Sequence, residues 1–406
     1  MIAVDAAIAG EGDGRRKLLV LSDLDSRVKW GASLASFFQD FCDITIMFEE
    51  IPASIRSRYI PANYVVEQYR DLNVVLGEPS LFSYDYIILA LGGSENVRAL
   101  SALQEYDAPR RPIVIAGFNG LVDPGDSHGF LCRQGADIIC VNSRRDLAYF
   151  KTLSAEFQLD TSPLVLAGYL RKNETTEQIP EGKLPETVVF IEQVGRPATL
   201  RQKAHLAHQL ANYARAHPDR KLVIKLRDAG WVRHTNSTKE RYSFRTLWNA
   251  TVLPHPSNVI FSSESVEDLL PKADLCISIA STVLFEALSM GKRVAVLSDF
   301  GIGTHMGNTV FIGSGLFATM EALTNDKLPT VSQSWLDDNG SFSDDFLPDL
   351  AQRVRRLDDQ RSQGTLKPIK VFYDKVGFSY FHPRKNPFRK FRKWMFRLRR
   401  LTFHLR

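Results

Sequence analysis

The sequence has no apolar run of about 18 residues or more, which excludes a helix of its own crossing a bilayer. Cysteine is scarce. The four present, Cys42, Cys132, Cys140 and Cys276, show no paired metal-ligand spacing, and Cys140 and Cys276 lie inside apolar runs where a buried thiol is the ordinary expectation. That usage points to a reducing compartment. No secretory signal is expected, because the apolar stretch Ile2 to Ile8, interrupted by Asp5, precedes Arg15, Arg16 and Lys17 instead of following them. No internal repeat of solenoid length occurs. Acidic residues are missing altogether from residues 384–406, which hold ten Lys or Arg. The whole chain has 51 basic and 46 acidic residues, so removing those ten leaves 41 against 46, a body of about −5. The body therefore lacks the character of a polyanion binder, and the tail has it.

What is present is a chain of 406 residues, long enough for two domains of ordinary size, with the 44% hydrophobic and 24% charged composition of a globular protein. Short runs of Val, Ile and Leu alternate with stretches of helical spacing, the sequence form of buried parallel strands in an α/β fold. In the first half they are Leu18 to Leu21, Ile44 to Met47, Val74 to Leu76, Tyr86 to Leu89, Ile113 to Ile115, Ile138 to Val141 and Leu164 to Leu166. In the second half they are Val188 to Ile191, Leu222 to Lys225, Val259 to Phe261, Leu275 to Ser278 and Val294 to Leu297. The polar stretch Arg171 to Pro185 separates the sets and reads as a linker. The expected division is a first domain over 1–170, a second over 186–330, a closing helix and extension over 331–383, and the basic tail at 384–406. Phe346 to Leu357 carries the spacing of that closing helix.

The most informative segment is ESVEDLLPKADLCISIASTVLFEALSMGKRVAVLSD, residues 264–299. It predicts a strand ending at Ser278, a tight turn of Ala280, Ser281 and Thr282, a helix closed by Gly291, then another strand. Ser281 and Thr282 thus sit at a helix start, where free N–H groups and the macrodipole favour a phosphate, and Glu286 is near enough to meet ribose hydroxyls. Plain helix capping by Ser281 and Thr282, with a solvated Glu286, explains the same letters. Strand, Ser/Thr turn and Glu-Ala-Leu-x-x-Gly-Lys resemble the nucleotide-binding segment of glycosyltransferases with two facing Rossmann-like domains, the GT-B architecture. The resemblance implies that Glu286 holds the donor ribose.

Residues 221–227, KLVIKLR, read as a strand delivering Lys225 and Arg227 at its carboxyl end, where open α/β sheets bind ligands. This resembles the strand that presents cations to the donor phosphate in capsule-type transferases. Leu226 departs from that pattern, and the nearby His255-Pro256 lies before a different strand. Residues 188–197, VVFIEQVGRP, are similar to the first strand and cleft loop of the donor domain, which would turn Gln193, Gly195 and Arg196 to the cleft. His205 and His208 stand at i, i+3 without nearby carboxylates and read as surface residues. The glycine-rich stretch Gly301 to Leu316 suits either close backbone approach to a ligand or a plain turn. As a whole the chain resembles bacterial glycosyltransferases related to capsule and sialic-acid-polymer enzymes, which implies a CMP-activated ulosonic acid as donor, with UDP- and CDP-linked sugars as alternatives.

Inverting transfer needs a base for the acceptor hydroxyl and positive charge at the departing phosphate. In such transferases the base belongs to the first domain. Residues 117–133, GFNGLVDPGDSHGFLCR, concentrate Asp123, Asp126, His128 and Arg133 among glycines after a buried strand. Asp126 or Asp123 is the expected base, with His128 competing; an ordinary Pro-Gly turn explains the aspartates equally. Asp23 and Asp25 follow the first strand and suit helix capping or contact with acceptor or donor. Asp23-Leu24-Asp25 has the letters of a metal-dependent motif, but GT-B enzymes usually need no metal, so no metal and no cofactor are expected.

In the tail, Phe388, Phe391, Trp394, Met395, Leu398, Leu401 and Leu405 recur at steps of three or four, with Arg and Lys at most other positions. Such a basic amphipathic helix suits an anionic membrane surface, and tail packing or nucleic-acid binding are its competitors. The expected partners are a nucleotide-sugar donor, a glycan or lipid-linked acceptor and the anionic inner face of the cell membrane, reached from the cytoplasm. The acidic body speaks against nucleic acid. Two other classes share the fold: a nucleotide-sugar epimerase, which needs no acceptor, and a non-catalytic membrane- or nucleic-acid-binding protein.

Overall fold

The structure, a computed structural model, describes residues 15–49, 53–105, 111–169, 182–193, 195–226, 243–341 and 347–373. The first sheet holds seven strands, β1 (Arg16–Ser22), β2 (Cys42–Phe48), β3 (Val65–Gln68), β4 (Tyr86–Ala90), β5 (Ile113–Gly117), β6 (Ile138–Val141) and β7 (Leu164–Leu166), in the order 3-2-1-4-5-6-7. Between them run α1 (Asp25–Ala35), α2 (Ala53–Tyr59), α3 (Leu72–Leu76), α4 (Gly93–Gln104), α5 (Ser127–Leu131) and α6 (Arg144–Glu156). The second sheet holds six strands, β8 (Thr187–Ile191), β9 (Lys221–Lys225), β10 (Val259–Ser262), β11 (Leu275–Ser278), β12 (Arg293–Leu297) and β13 (Phe317–Ala318), in the order 10-9-8-11-12-13. Its helices are α7 (Leu200–Ala216), α8 (Phe244–Thr251), α9 (Val266–Leu269), α10 (Val283–Ser289), α11 (Met320–Thr324) and α12 (Gln333–Asn339), and α13 (Leu347–Ser362) follows.

Neighbouring strands pair in parallel throughout both sheets. Helices cover both faces, so the interior strands are apolar on both sides. Leu18 and Val20 enter one core layer, Leu19 and Leu21 the other, and all four are fully buried. Each such side chain stabilises the fold by about 1.5–3 kcal/mol. The two Rossmann-like domains expected from the sequence are therefore present. All four cysteines are buried and free. Burial pushes the Cys140 and Cys276 thiols up to about 12, so they are packing groups.

One strand was expected in the wrong place. Val74 to Leu76 belongs to helix α3, because the Asp71 side chain accepts from Asn73 N and caps it, and Val74 is 63% exposed. The sheet position is taken by β3, an edge strand whose largely exposed residues give no apolar run. The two-residue strand β13 also lacks a sequence signal.

Helix α13 returns to the first domain. Its Leu350, Val354 and Leu357 enter the core beneath β1, Asp358 pairs with Arg16, and Arg361 Nη1 lies 2.7 Å from Asp85 Oδ1. Both strand orders reverse direction once, between β1 and β4 and between β8 and β11. Those are the switch points where open α/β sheets receive ligands. Among the described residues no helix is long and apolar enough to cross a membrane. The tail at 384–406, Arg227 and most of the expected linker lie outside the described residues.

Candidate active site

At the second switch point the loops after β8 and β11 are tied together. Gln193 Oε1 accepts from Ala280 N at 2.7 Å, and the buried Ser278 hydroxyl donates to Ile191 O at 2.8 Å. Ser281, 9% exposed, accepts from Val283 N at 3.3 Å through its Oγ, a local turn bond. Thr282 makes no side-chain capping bond. Its methyl instead abuts the first domain, since a Cβ on Gly120 would stand 3.0 Å from Thr282 Cγ2. Glu286, also 9% exposed, is no solvated side chain: its Oε2 faces Lys29 Nζ of α1 at 3.5 Å.

Lys29 is the centre of a cross-domain cluster that no local pattern announced. Its ammonium also pairs with Glu267 of α9 and stands 5.1 Å from the Tyr59 ring centroid. The Tyr59 hydroxyl donates to Glu267 at 3.3 Å. Burial alone would push the Glu267 carboxyl up, but the Lys29 charge and the hydrogen bonds outweigh it, and the net direction is down. The phenol of Tyr59 is pushed up to about 12, by burial first and then by the Glu267 charge.

The other donor-side residues are placed as follows. Lys225 closes β9, where its ammonium donates to the Leu226 carbonyl at 2.7 Å. The Arg196 guanidinium lies against Gly307, whose φ of +64° and missing Cβ permit that approach. The loop carrying Gly307 is held by the fully buried Asn308, which accepts from Gly303 N at 3.0 Å and donates to Gly301 O at 3.1 Å.

On the first domain the carboxylates divide by role. Asp23 accepts from Arg27 Nη1 at 2.6 Å and from Gly92 N at 3.1 Å, bridging the first switch point much as Gln193 bridges the second. Asp25 accepts from Ser26 N at 2.7 Å, at the start of α1. Asp126 caps α5, accepting from Gly129 N at 3.3 Å, and is exposed; its N–H donates to Asp123 O at 2.9 Å. His128 Nδ1 lies 3.2 Å from the Tyr373 hydroxyl and its Nε2 3.6 Å from Cys132 Sγ. Burial keeps both neighbours protonated, each pushed up to about 12. Arg133 is buried and spent on the loop itself, donating to Gly117 O and Gly129 O at 2.6 Å each and lying over Phe118. Burial lowers it to about 10, so it remains a cation near neutral pH. Asn142 and Arg145 Nη2 fix the same loop through Gly120 O and Val122 O, both at 2.8 Å. Its Gly120 and Leu121 touch the second domain.

A family model described as "Putative glycosyltransferase (DUF6716)" matches residues 18–357. No curated protein matches the sequence. Among solved structures, the chain is similar to the "putative UDP-N-acetylglucosamine 2-epimerase from Listeria monocytogenes", at 14% identity and a TM-score of 0.55, covering 88% of this chain and 100% of that one. It is similar to the S. aureus MnaA–UDP complex at 10% identity and a TM-score of 0.56, with the same coverages. A further UDP-N-acetylglucosamine 2-epimerase matches at 12% identity and a TM-score of 0.54, covering 89% of this chain and 100% of that one. These likenesses establish a shared two-domain fold.

Proposed function

The chain belongs to the family described as "Putative glycosyltransferase (DUF6716)", and from that premise we propose that it moves a sugar from a nucleotide-activated donor to a cell-surface glycan or lipid-linked acceptor. Glu286 carries the donor side of this reading. It is a carboxylate shielded from water, beside the second switch point, turned toward the opposite domain. In that place it suits ribose hydroxyls, with Ser281, Thr282, Gln193 and Arg196 around the phosphate. Lys225 and Arg227 would stabilise the leaving phosphate. The acceptor then belongs to the first domain, residues 1–170, and the donor to residues 186–330. Asp126 is the preferred base, with Asp123 and His128 next, and Asp23, Asp25 and Arg133 shape the acceptor side.

The capsule-type resemblance favours a CMP-ulosonic acid as donor, and the basic tail favours work at the inner face of a membrane. Thermal shift with CMP, UDP, CDP and GDP, on the wild type and Glu286→Ala, tests the donor site. Stabilisation by one nucleotide that is lost in the variant supports the reading; equal response of both proteins removes Glu286 from it.

A second reading rests on the epimerase neighbours, whose fold this chain shares at 12–14% identity. An epimerase would convert its nucleotide sugar alone. Conversion of UDP-N-acetylglucosamine without acceptor, followed by NMR, would favour it over transfer.

A further inference from the structure

Outside the cleft, a groove of about 660 Å³ runs along β7 between α6 and α13. It reaches from Ser162 and Leu164, before and at the start of the strand, to Leu166 at its carboxyl end. Among the described residues its charged lining is Arg144 and Lys151 from α6, Arg353 and Arg356 from α13, and a single carboxylate, Asp349. Among the described residues this is a local excess of positive charge on a body whose formal charge outside residues 384–406 is about −5, from 41 basic and 46 acidic residues. It does not depend on Arg144, which has a partner of its own: Lys151, Arg353 and Arg356 alone outnumber Asp349.

Two nearby acids have their own partners. Asp137 is held by Arg111, with Nη1 at 2.7 Å and Nη2 at 2.8 Å. Asp160 accepts from Ser162 N and Oγ, both at 2.8 Å, and lies 3.7 Å from Lys367 Nζ. Arg353 reaches Ser162 Oγ only at 3.4 Å, and its buried Nε has no hydrogen-bond partner among the described residues. Burial and then the charge of Arg356 both lower the Arg353 guanidinium from its ordinary value. An anion between the two would relieve both costs.

We infer that this groove binds phosphate groups: paired guanidinium forks set along an open channel match a phosphate or diphosphate ligand. It also adjoins the acceptor side of the candidate active site. Arg145, next to Arg144 in the first turn of α6, donates to Val122 O in the Gly117 to Arg133 loop. A phosphate-bearing acceptor could therefore lie along β7 with its reacting end toward that loop, an assignment that rests on the transferase reading; the phosphate chemistry of the groove does not.

The test uses the full chain with its donor site saturated by whichever nucleotide it binds. Inorganic pyrophosphate is titrated calorimetrically into the wild type, into a Lys151→Gln/Arg356→Gln variant, and into an Arg397→Gln/Arg399→Gln control that removes two charges from the tail. Both groove positions are exposed, so the variant should fold. The groove variant should lose roughly tenfold or more in affinity, with the control near wild type. Short-chain phosphatidylglycerol below its micellar concentration, which offers the basic tail no surface, separates the sources: selective loss of its binding in the groove variant, with pyrophosphate affinity unchanged, makes a lipid headgroup the phosphate. Equal behaviour of groove variant and wild type toward both probes overturns the inference. Phosphate binding in a protein that binds no nucleotide would sink the transferase reading and leave the groove standing.

Discussion

Lys29 of the first domain stands 3.5 Å from Glu286 of the second and pairs with Glu267 as well, so one ammonium joins two carboxylates across the cleft. Lys29→Met should remove the cation that those carboxylates share and loosen the contact between the domains. Small-angle scattering would read this as a larger radius of gyration than wild type; an unchanged profile would show that apolar contacts such as Tyr169 on Phe285 suffice.

The same cluster gives a pH dependence. Glu267 is lowered in the folded protein, so its contribution is full above the ordinary glutamate value of 4.5 and is lost as pH falls through the lower folded value. Wild type should therefore lose melting temperature on acidification below about pH 5 more steeply than Glu267→Gln. Parallel pH profiles would mean that the pair contributes nothing measurable.

Lys225 and Arg227 are expected to act on a charge that grows as the donor bond breaks. Replacing either with Ala should lower turnover more than donor affinity. Normal turnover in both variants moves the role elsewhere.

Asp126→Asn keeps the capping oxygen and removes the basicity, so α5 should stay folded while transfer falls by roughly a hundredfold or more. Activity in this variant with loss in Asp123→Asn would transfer the base to Asp123, and activity in both would take it out of the loop.

For the tail, truncation before Arg384 should abolish binding to anionic vesicles while nucleotide binding persists. Salt should weaken the binding of the intact chain without erasing it, because Phe391, Trp394 and Leu398 would still bury apolar surface. Equal vesicle binding by both proteins would refute the anchor.

The strands were readable because a parallel strand covered on both faces must be apolar along its length, whatever its partners. β3 escaped because an edge strand with exposed side chains carries no such demand, and α3 was misread because its start depends on the Asp71 cap more than on Val74 to Leu76. The Ser281 to Glu286 segment is local, strand to turn to helix, and its arrangement could be read directly. The pairing of Lys29 with Glu286 spans 257 positions and exists only once two domains meet, so no window of sequence encodes it. The bonds of Arg133 to the loop's own carbonyls, Gly117 O and Gly129 O, were equally illegible, because they depend on how the loop folds back on itself.

Helix α13 fills the core beneath β1 from the far end of the chain, with Leu350, Val354 and Leu357 inside it. On a ribosome the first sheet is therefore made long before the helix that covers one of its faces. Until residues 347–362 emerge, the apolar side of β1 and β4 stays open to chaperones or to other nascent chains. The second domain, whose core draws chiefly on its own contiguous stretch, can close earlier although it is synthesised later. A stop codon placed after the second domain would thus damage the first.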